Sequence, residues 1–144
     1  MNKSDEALKS FYTGFTCSAA IFSTFSRQLG LNEEIARKVA CGFGAGISRT
    51  GNICGAVSGA ILVIGLKYGK ANAGDDHATE KTRALVREFI RQFTERHGSI
   101  NCTDLLGCNL DEPGQYLQAK NEGLFTSRCP EYVRDAADIL DRIL

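Results

Sequence analysis

The chain has 144 residues, with 17 basic and 17 acidic side chains that leave no formal net charge. That length suffices for a single domain over residues 1–144, burying about two-thirds of the surface its unfolded chain exposes without disulfide staples. The balanced charge supplies no global field for nucleic acid or an anionic membrane, so neither is expected as a partner.

The opening MNKSDEALKSFYTGF carries neither a charged-then-apolar signal pattern nor a small-residue cleavage site, which reads as a cytoplasmic protein. Residues 5–28 are amphipathic at helical spacing, with Leu8, Phe11, Phe15, Ala19, Ala20, Phe22 and Phe25 on the expected buried side and Gly14 dividing the run. Gly30 stops it. Asn32 then caps a second helix that carries Glu33 and Glu34 in its first turn, where the macrodipole favours acids, and that runs to about Gly42.

The stretch GFGAGISRTGNICGAVSGAILVIGLKYG, from residue 42 to 69, holds eight glycines in an apolar setting. Dinucleotide and P-loop fingerprints need a strand before the loop, and the GK[ST] of a P-loop is missing, so a phosphate cradle is rejected. The apolar run 53–66 is too short for the ~20 residues that cross a bilayer, so no membrane span is expected. Residues 53–68 read instead as a central helix, apolar on nearly every side. Gly55, Gly59 and Gly65 inside that helix cost together roughly 3 kcal/mol relative to alanine, which implies close packing or a ligand. Gly55 and Gly59 lie one turn apart and form a flat strip for a neighbouring helix or cofactor, beside Cys54.

Residues 75–97 repeat Leu85, Val86, Phe89, Ile90 and Phe93 on one helical face and Arg83, Arg87 and Arg91 on another, a core stripe and a solvated stripe. Both histidines, His77 and His97, fall on this polar helix and read as surface residues. One capped turn is expected at residues 101–106 and a short helix within 111–121. A last helix has Pro130 in its first turn and Tyr132, Val133, Ala136, Ala137 and Leu140 on its apolar face. No period-two run competes, and the fold class is all-α, a compact helical bundle around the glycine-rich helix.

Six cysteines, at positions 17, 41, 54, 102, 108 and 129, are many for a chain with no export signal, and point to thiol chemistry or metal binding. Cys54 follows the turn formers Gly51 and Asn52, at a helix start where unpaired N–H groups favour a thiolate. Cys102 and Cys129 stand at two other expected helix starts, and Cys17 in the first apolar region supplies a fourth sulfur, so a site of four gathered thiols follows as a hypothesis. No CxxC is present, so neither a thioredoxin-like dithiol nor paired zinc knuckles has its local signature.

Cys17 within Thr16-Cys17-Ser18, GFGAGISRTG, CGAVSG at 54–59, GLKYG and the late cysteines together resemble the C_GCAxxG_C_C family of redox-active proteins over nearly the whole chain. Carried over by that resemblance, the four characteristic cysteines fall on Cys17, Cys54, Cys102 and Cys129, while Gly55, Ala56 and Gly59 match the motif and Cys41 and Cys108 lie outside it. A domain similar to this family occurs in split-Soret cytochromes with an iron–sulfur centre, so the resemblance implies a [2Fe–2S] cluster on the four cysteines. Covalent haem is not expected, because CxxCH is absent. Cys108, close to Cys102, leaves open a disulfide between the two or its replacement of Cys102 as a ligand.

The leading expectation is a redox protein passing single electrons to an unidentified protein partner through this site, and whether the site closes within one chain or across a homodimer stays open. Three alternatives stand beside it. One is metal-free thiol–disulfide exchange with Cys54 as the attacking thiolate, and another is a structural tetrathiolate zinc site. The third is a helical domain with inert thiols that binds a partner through the Arg83, Arg87 and Arg91 stripe. Enzymatic activity is left undecided.

Overall fold

The computed structural model describes residues 1–144 and is built from helices, with a single isolated bridge between Ile53 and Asn101 in place of any strand. In chain order these are α1 (Lys3–Tyr12), α2 (Cys17–Ser26), α3 (Glu33–Ala40), α4 (Gly55–Tyr68), α5 (Asp76–His97), α6 (Cys102–Leu106), α7 (Pro113–Asn121) and α8 (Cys129–Ile143). A further single turn, Leu124–Ser127, precedes α8.

Local chemistry sets several of the boundaries. Asn2, Thr16, Asn32 and Asp75 each accept a backbone N–H of the helix they precede, which satisfies donors that the first turn leaves free. Gly14, at φ 115°, lets the chain reverse between α1 and α2. Gly98, at φ 82°, ends α5 with its N–H donated to the Thr94 carbonyl.

The core is one continuous apolar cluster in which α4 is central, packed against α2, α5 and α8. Phe25, Phe89, Phe93, Ile21, Ile64, Ile139 and Leu140 are its largest fully buried side chains. The crossing of α2 over α4 is close because Gly59 has no side chain: a Cβ there would stand 2.8 Å from the Ser18 carbonyl oxygen and 3.1 Å from Ile21 Cβ. The strip expected from Gly55 and Gly59 therefore receives helix α2. Gly65 differs, with open space where its Cβ would be, so close packing accounts for two of the three helix glycines and not the third.

Three further expectations change. Phe15 is exposed, and the Arg37 guanidinium stacks over its ring at 4.3 Å. Asn101 precedes α6 without a side-chain capping bond, because the Asn52 carbonyl accepts the Cys102 N–H and fixes the entry from outside. Cys129 is the first residue of α8, next to its cap Arg128, at the helix start expected of it. His77 is exposed as expected, but His97 is held between aromatic rings and its side chain is only 7% accessible. The arginine face of α5 is solvated, with Arg83 paired to Glu80 and Arg91 to Glu88 and Glu95.

Candidate functional site

Cys17 is the first residue of α2, Cys54 the cap of α4, Cys102 the first residue of α6 and Cys129 the first residue of α8. All four line one partly open cavity of about 690 Å³. Helix starts gather unpaired N–H groups and the positive end of the macrodipole, so the four sulfurs share backbone that favours negative charge.

The bridge between Ile53 and Asn101 brings two of these starts together. Cys54 N–H donates to the Ile100 carbonyl at 2.7 Å and Cys102 N–H to the Asn52 carbonyl at 2.7 Å, so the two cysteines enter their helices from opposite sides of one pairing. Gly51, at φ 76°, allows the turn into the bridge, and a Cβ on it would collide with the Thr103 hydroxyl. Cys17 is seated by the other glycine contact: a Cβ at Gly55 would run into its sulfur.

The wall facing the sulfurs is a left-handed turn. Ala45, Gly46, Ile47, Ser48 and Arg49 all have φ between 52° and 69°, four of them carrying side chains. L-residues adopt this conformation at roughly 1–2 kcal/mol each, and usually singly. Here a set of bonds imposes it. Arg49 N–H donates to the Ala45 carbonyl at 2.9 Å, Ser48 Oγ to the Gly42 carbonyl at 2.7 Å, and Thr50 Oγ1 to the Gly46 carbonyl at 2.8 Å, while the Arg49 guanidinium stacks on Tyr116 at 4.0 Å. Gly46 has no room for a side chain, since a Cβ would lie 2.7 Å from Cys102 Cβ. The turn thereby aims the Ala45 N–H at Cys17, joining those of Ser18 and Gly55.

Burial decides the protonation of the free thiols. Removal from water pushes Cys17 up, against the counter-pull of the N–H groups around it. Cys54 is pushed well above the usual thiol range by burial first, and then by Cys17, Cys102 and Cys129, whose charges it would meet. Cys102 and Cys129 are each pushed up to about 12 by burial and by neighbouring sulfurs. The helix-start effect expected to make Cys54 a thiolate is thus outweighed, because desolvation opposes any anion there and like charge opposes more than one.

No three of these sulfurs lie within 4.8 Å of one another. Tetrahedral thiolates around one ion with 2.3 Å bonds would stand roughly 3.8 Å apart, so the set is spread wider than a single zinc ion requires.

Cys41 is exposed at the rim of the cavity, and Cys108 lies outside it, facing a separate hollow of about 350 Å³ beside Gly107 and Arg128. All six thiols are free, so Cys102 and Cys108 form no disulfide.

Several cavity residues escaped the sequence reading. Tyr132, in the cavity wall, donates its hydroxyl to the Leu105 carbonyl at 2.8 Å, and from the neighbouring hollow Arg128 reaches the Leu105 and Leu106 carbonyls at 3.3 Å, so both hold the end of α6. Tyr132 was findable, since it lies three residues after Cys129 and so shares its helix face. Phe11, Tyr116 and Phe125, also in the wall, come from distant segments with no mutual spacing to reveal them.

Fold and site together define an all-α, cysteine-rich domain with four thiols presented at helix starts around one cavity. The chain belongs to the C_GCAxxG_C_C family, described as "Putative redox-active protein (C_GCAxxG_C_C)", whose profile matches residues 15–143. It is also 35% identical over 104 residues to an uncharacterized protein of Archaeoglobus fulgidus, an alignment covering 66% of this chain and 67% of that protein. No solved structure matches.

Proposed function

We propose that this redox-family protein is an electron carrier of the cytoplasm that holds a [2Fe–2S] cluster through Cys17, Cys54, Cys102 and Cys129. The observation that carries the reading is the convergence of four helix-start cysteines on one cavity with their sulfurs spread too widely for one ion. A bound cluster supplies one-electron transfer at a potential set by ligand charge, N–H contacts and exposure.

The chain's own residues account for the rest. Four thiols give the donor set that such a cluster takes, and their protons leave when the metal binds. The N–H groups of Ala45, Ser18 and Gly55 lie towards the Cys17 sulfur and Ala56 N–H towards Cys54, offsetting charge that burial alone would disfavour. Gly55 and Gly59 keep α2 close enough to α4 for Cys17 to join the set. Leu105, Leu106 and Tyr132 exclude water on one side, while the partly accessible Cys17 and Cys129 give an electron its exit towards a partner. Six unpaired thiols accord with a reducing compartment.

The same observations weigh against the other readings. A tetrathiolate zinc ion requires closer sulfurs, and metal-free exchange requires a thiolate where burial favours the thiol.

Single replacements test the ligand set. Anaerobically reconstituted Cys17→Ser, Cys54→Ser, Cys102→Ser and Cys129→Ser should each lose bound iron and sulfide, while Cys41→Ser and Cys108→Ser keep both. Full loading in any two of the first four variants would refute the assignment.

A further inference from the structure

Behind Tyr132, on the far side of that ring from the cysteine cavity, where α5 ends against the first two turns of α8, we infer a second metal site formed by His97, Glu131 and Asp135. One ligand atom from each lies within 4.8 Å of the other two. Glu131 and Asp135 are four residues apart on α8 and so project from the same face, towards the last residue of α5.

The histidine points to an ion more than an acidic cluster alone would. Its side chain is more than nine-tenths buried, and its Nε2 is shielded from solvent without a hydrogen-bond partner. Asp135 Oδ2 stands 2.9 Å from that nitrogen, yet out of line for a hydrogen bond. A buried polar atom left in that state costs roughly 1–3 kcal/mol. Ligand atoms bound at about 2.1 Å and at right angles stand roughly 3.0 Å apart, so the observed spacing suits two adjacent positions on one octahedral ion.

The surroundings hold the imidazole for this role. Phe93 lies 4.7 Å from the ring and Tyr132 meets it edge-on at 4.9 Å. Arg96 engages the other oxygen of Asp135, Oδ1, at 3.4 Å, and Asp138 Oδ2 at 3.3 Å, which orients the carboxylate and leaves Oδ2 facing the histidine. Glu131 is exposed, so an ion enters from its side. One imidazole with two carboxylates suits a divalent transition metal such as Mn²⁺ or Fe²⁺ more than the softer ions that thiolates select.

Mn²⁺ is the discriminating probe, because it prefers nitrogen and oxygen over the six thiols. Titration of the reduced full-length protein, followed by loss of the free Mn²⁺ EPR signal, should show one ion bound per chain. Its paramagnetism should broaden the ring proton resonances of His97 and spare those of His77, about 30 Å away along the same helix. His97→Gln and Asp135→Asn should weaken binding by about tenfold or more. Glu131→Gln, at an exposed position where folding is not at stake, should weaken it in the same direction. Absence of Mn²⁺ binding, broadening of both histidines alike, or unchanged affinity in Glu131→Gln would overturn the site.

Discussion

Glycine-to-alanine replacement at two positions of α4 should move stability in opposite directions. Gly59 and Gly65 both lie inside the helix, so alanine brings each a propensity gain of about 1 kcal/mol. At Gly65 nothing opposes it, because no atom lies within 4 Å of the new methyl. Gly65→Ala should therefore stabilise the protein by about 1 kcal/mol and raise Tm by roughly 3 °C. At Gly59 the methyl meets the Ser18 carbonyl oxygen at 2.8 Å and Ser18 Cα at 3.1 Å, backbone atoms that yield only if α2 shifts. Overpacking of this kind costs typically about 1–3 kcal/mol, and a backbone obstacle belongs in the upper half of that range. Net destabilisation of about 1–2 kcal/mol is expected, and because Cys17 and Ser18 share the first turn of α2, metal loading should fall as well. Urea unfolding of the reduced apo protein reads both values. Movement of the two variants in the same direction would refute the packing argument.

Other expectations concern the thiols and the left-handed turn. In the folded apo protein at neutral pH, Cys41 should alkylate first and the four cavity cysteines slowly, as mass spectrometry of timed iodoacetamide reactions would resolve; fast labelling of Cys54 would contradict its raised pKa. A thiol raised to about 12 in the fold stays protonated where the unfolded chain, with thiols near 8.5, has lost its proton. The stability contributed by Cys102 and Cys129 is thus fully present below about pH 8.5 and is lost as pH rises towards 12, visible as a falling urea midpoint. Ala45→Gly, at φ 56°, should leave stability unchanged or raise it by up to about 1 kcal/mol, since relief of the left-handed strain outweighs the flexibility added to the unfolded chain. A loss of 1 kcal/mol or more, as alanine-to-glycine gives in an ordinary helix, would contradict that conformation.

Much of the helical frame was legible because the outer long helices carry their period, the central one an unbroken apolar run, and several their stop signals. Gly14 and Gly30 divide the first third as expected, and the apolar face of α8 follows from spacing alone. The helix-start positions of Cys54, Cys102 and Cys129 were also readable, the first from Gly51-Asn52 before it and the last from Pro130 after it, whereas Cys17 was read only as lying within the first apolar region. What stayed hidden depends on contacts between distant segments. The left-handed turn at residues 45–49 is held by Tyr116 of the distant α7 as well as by local bonds from Thr50 and Asn52, and contradicts the local preference of Ile47 and Ser48. Thiol protonation escaped for a related reason: a helix start lowers the pKa of one cysteine, but four brought into one low-dielectric cavity raise one another's. His97 read as a surface residue because its own helix is polar, while the rings that bury it include one from α8, 35 residues later.

Iron and acid-labile sulfide, measured with the visible and EPR spectra of protein purified without oxygen, test the central claim most directly. The account predicts about two irons and two sulfides per chain, a coloured oxidised form without an EPR signal and a one-electron-reduced form with one. Protein that remains free of iron and sulfide after reconstitution, or that takes up one zinc ion per chain in their place, would contradict it.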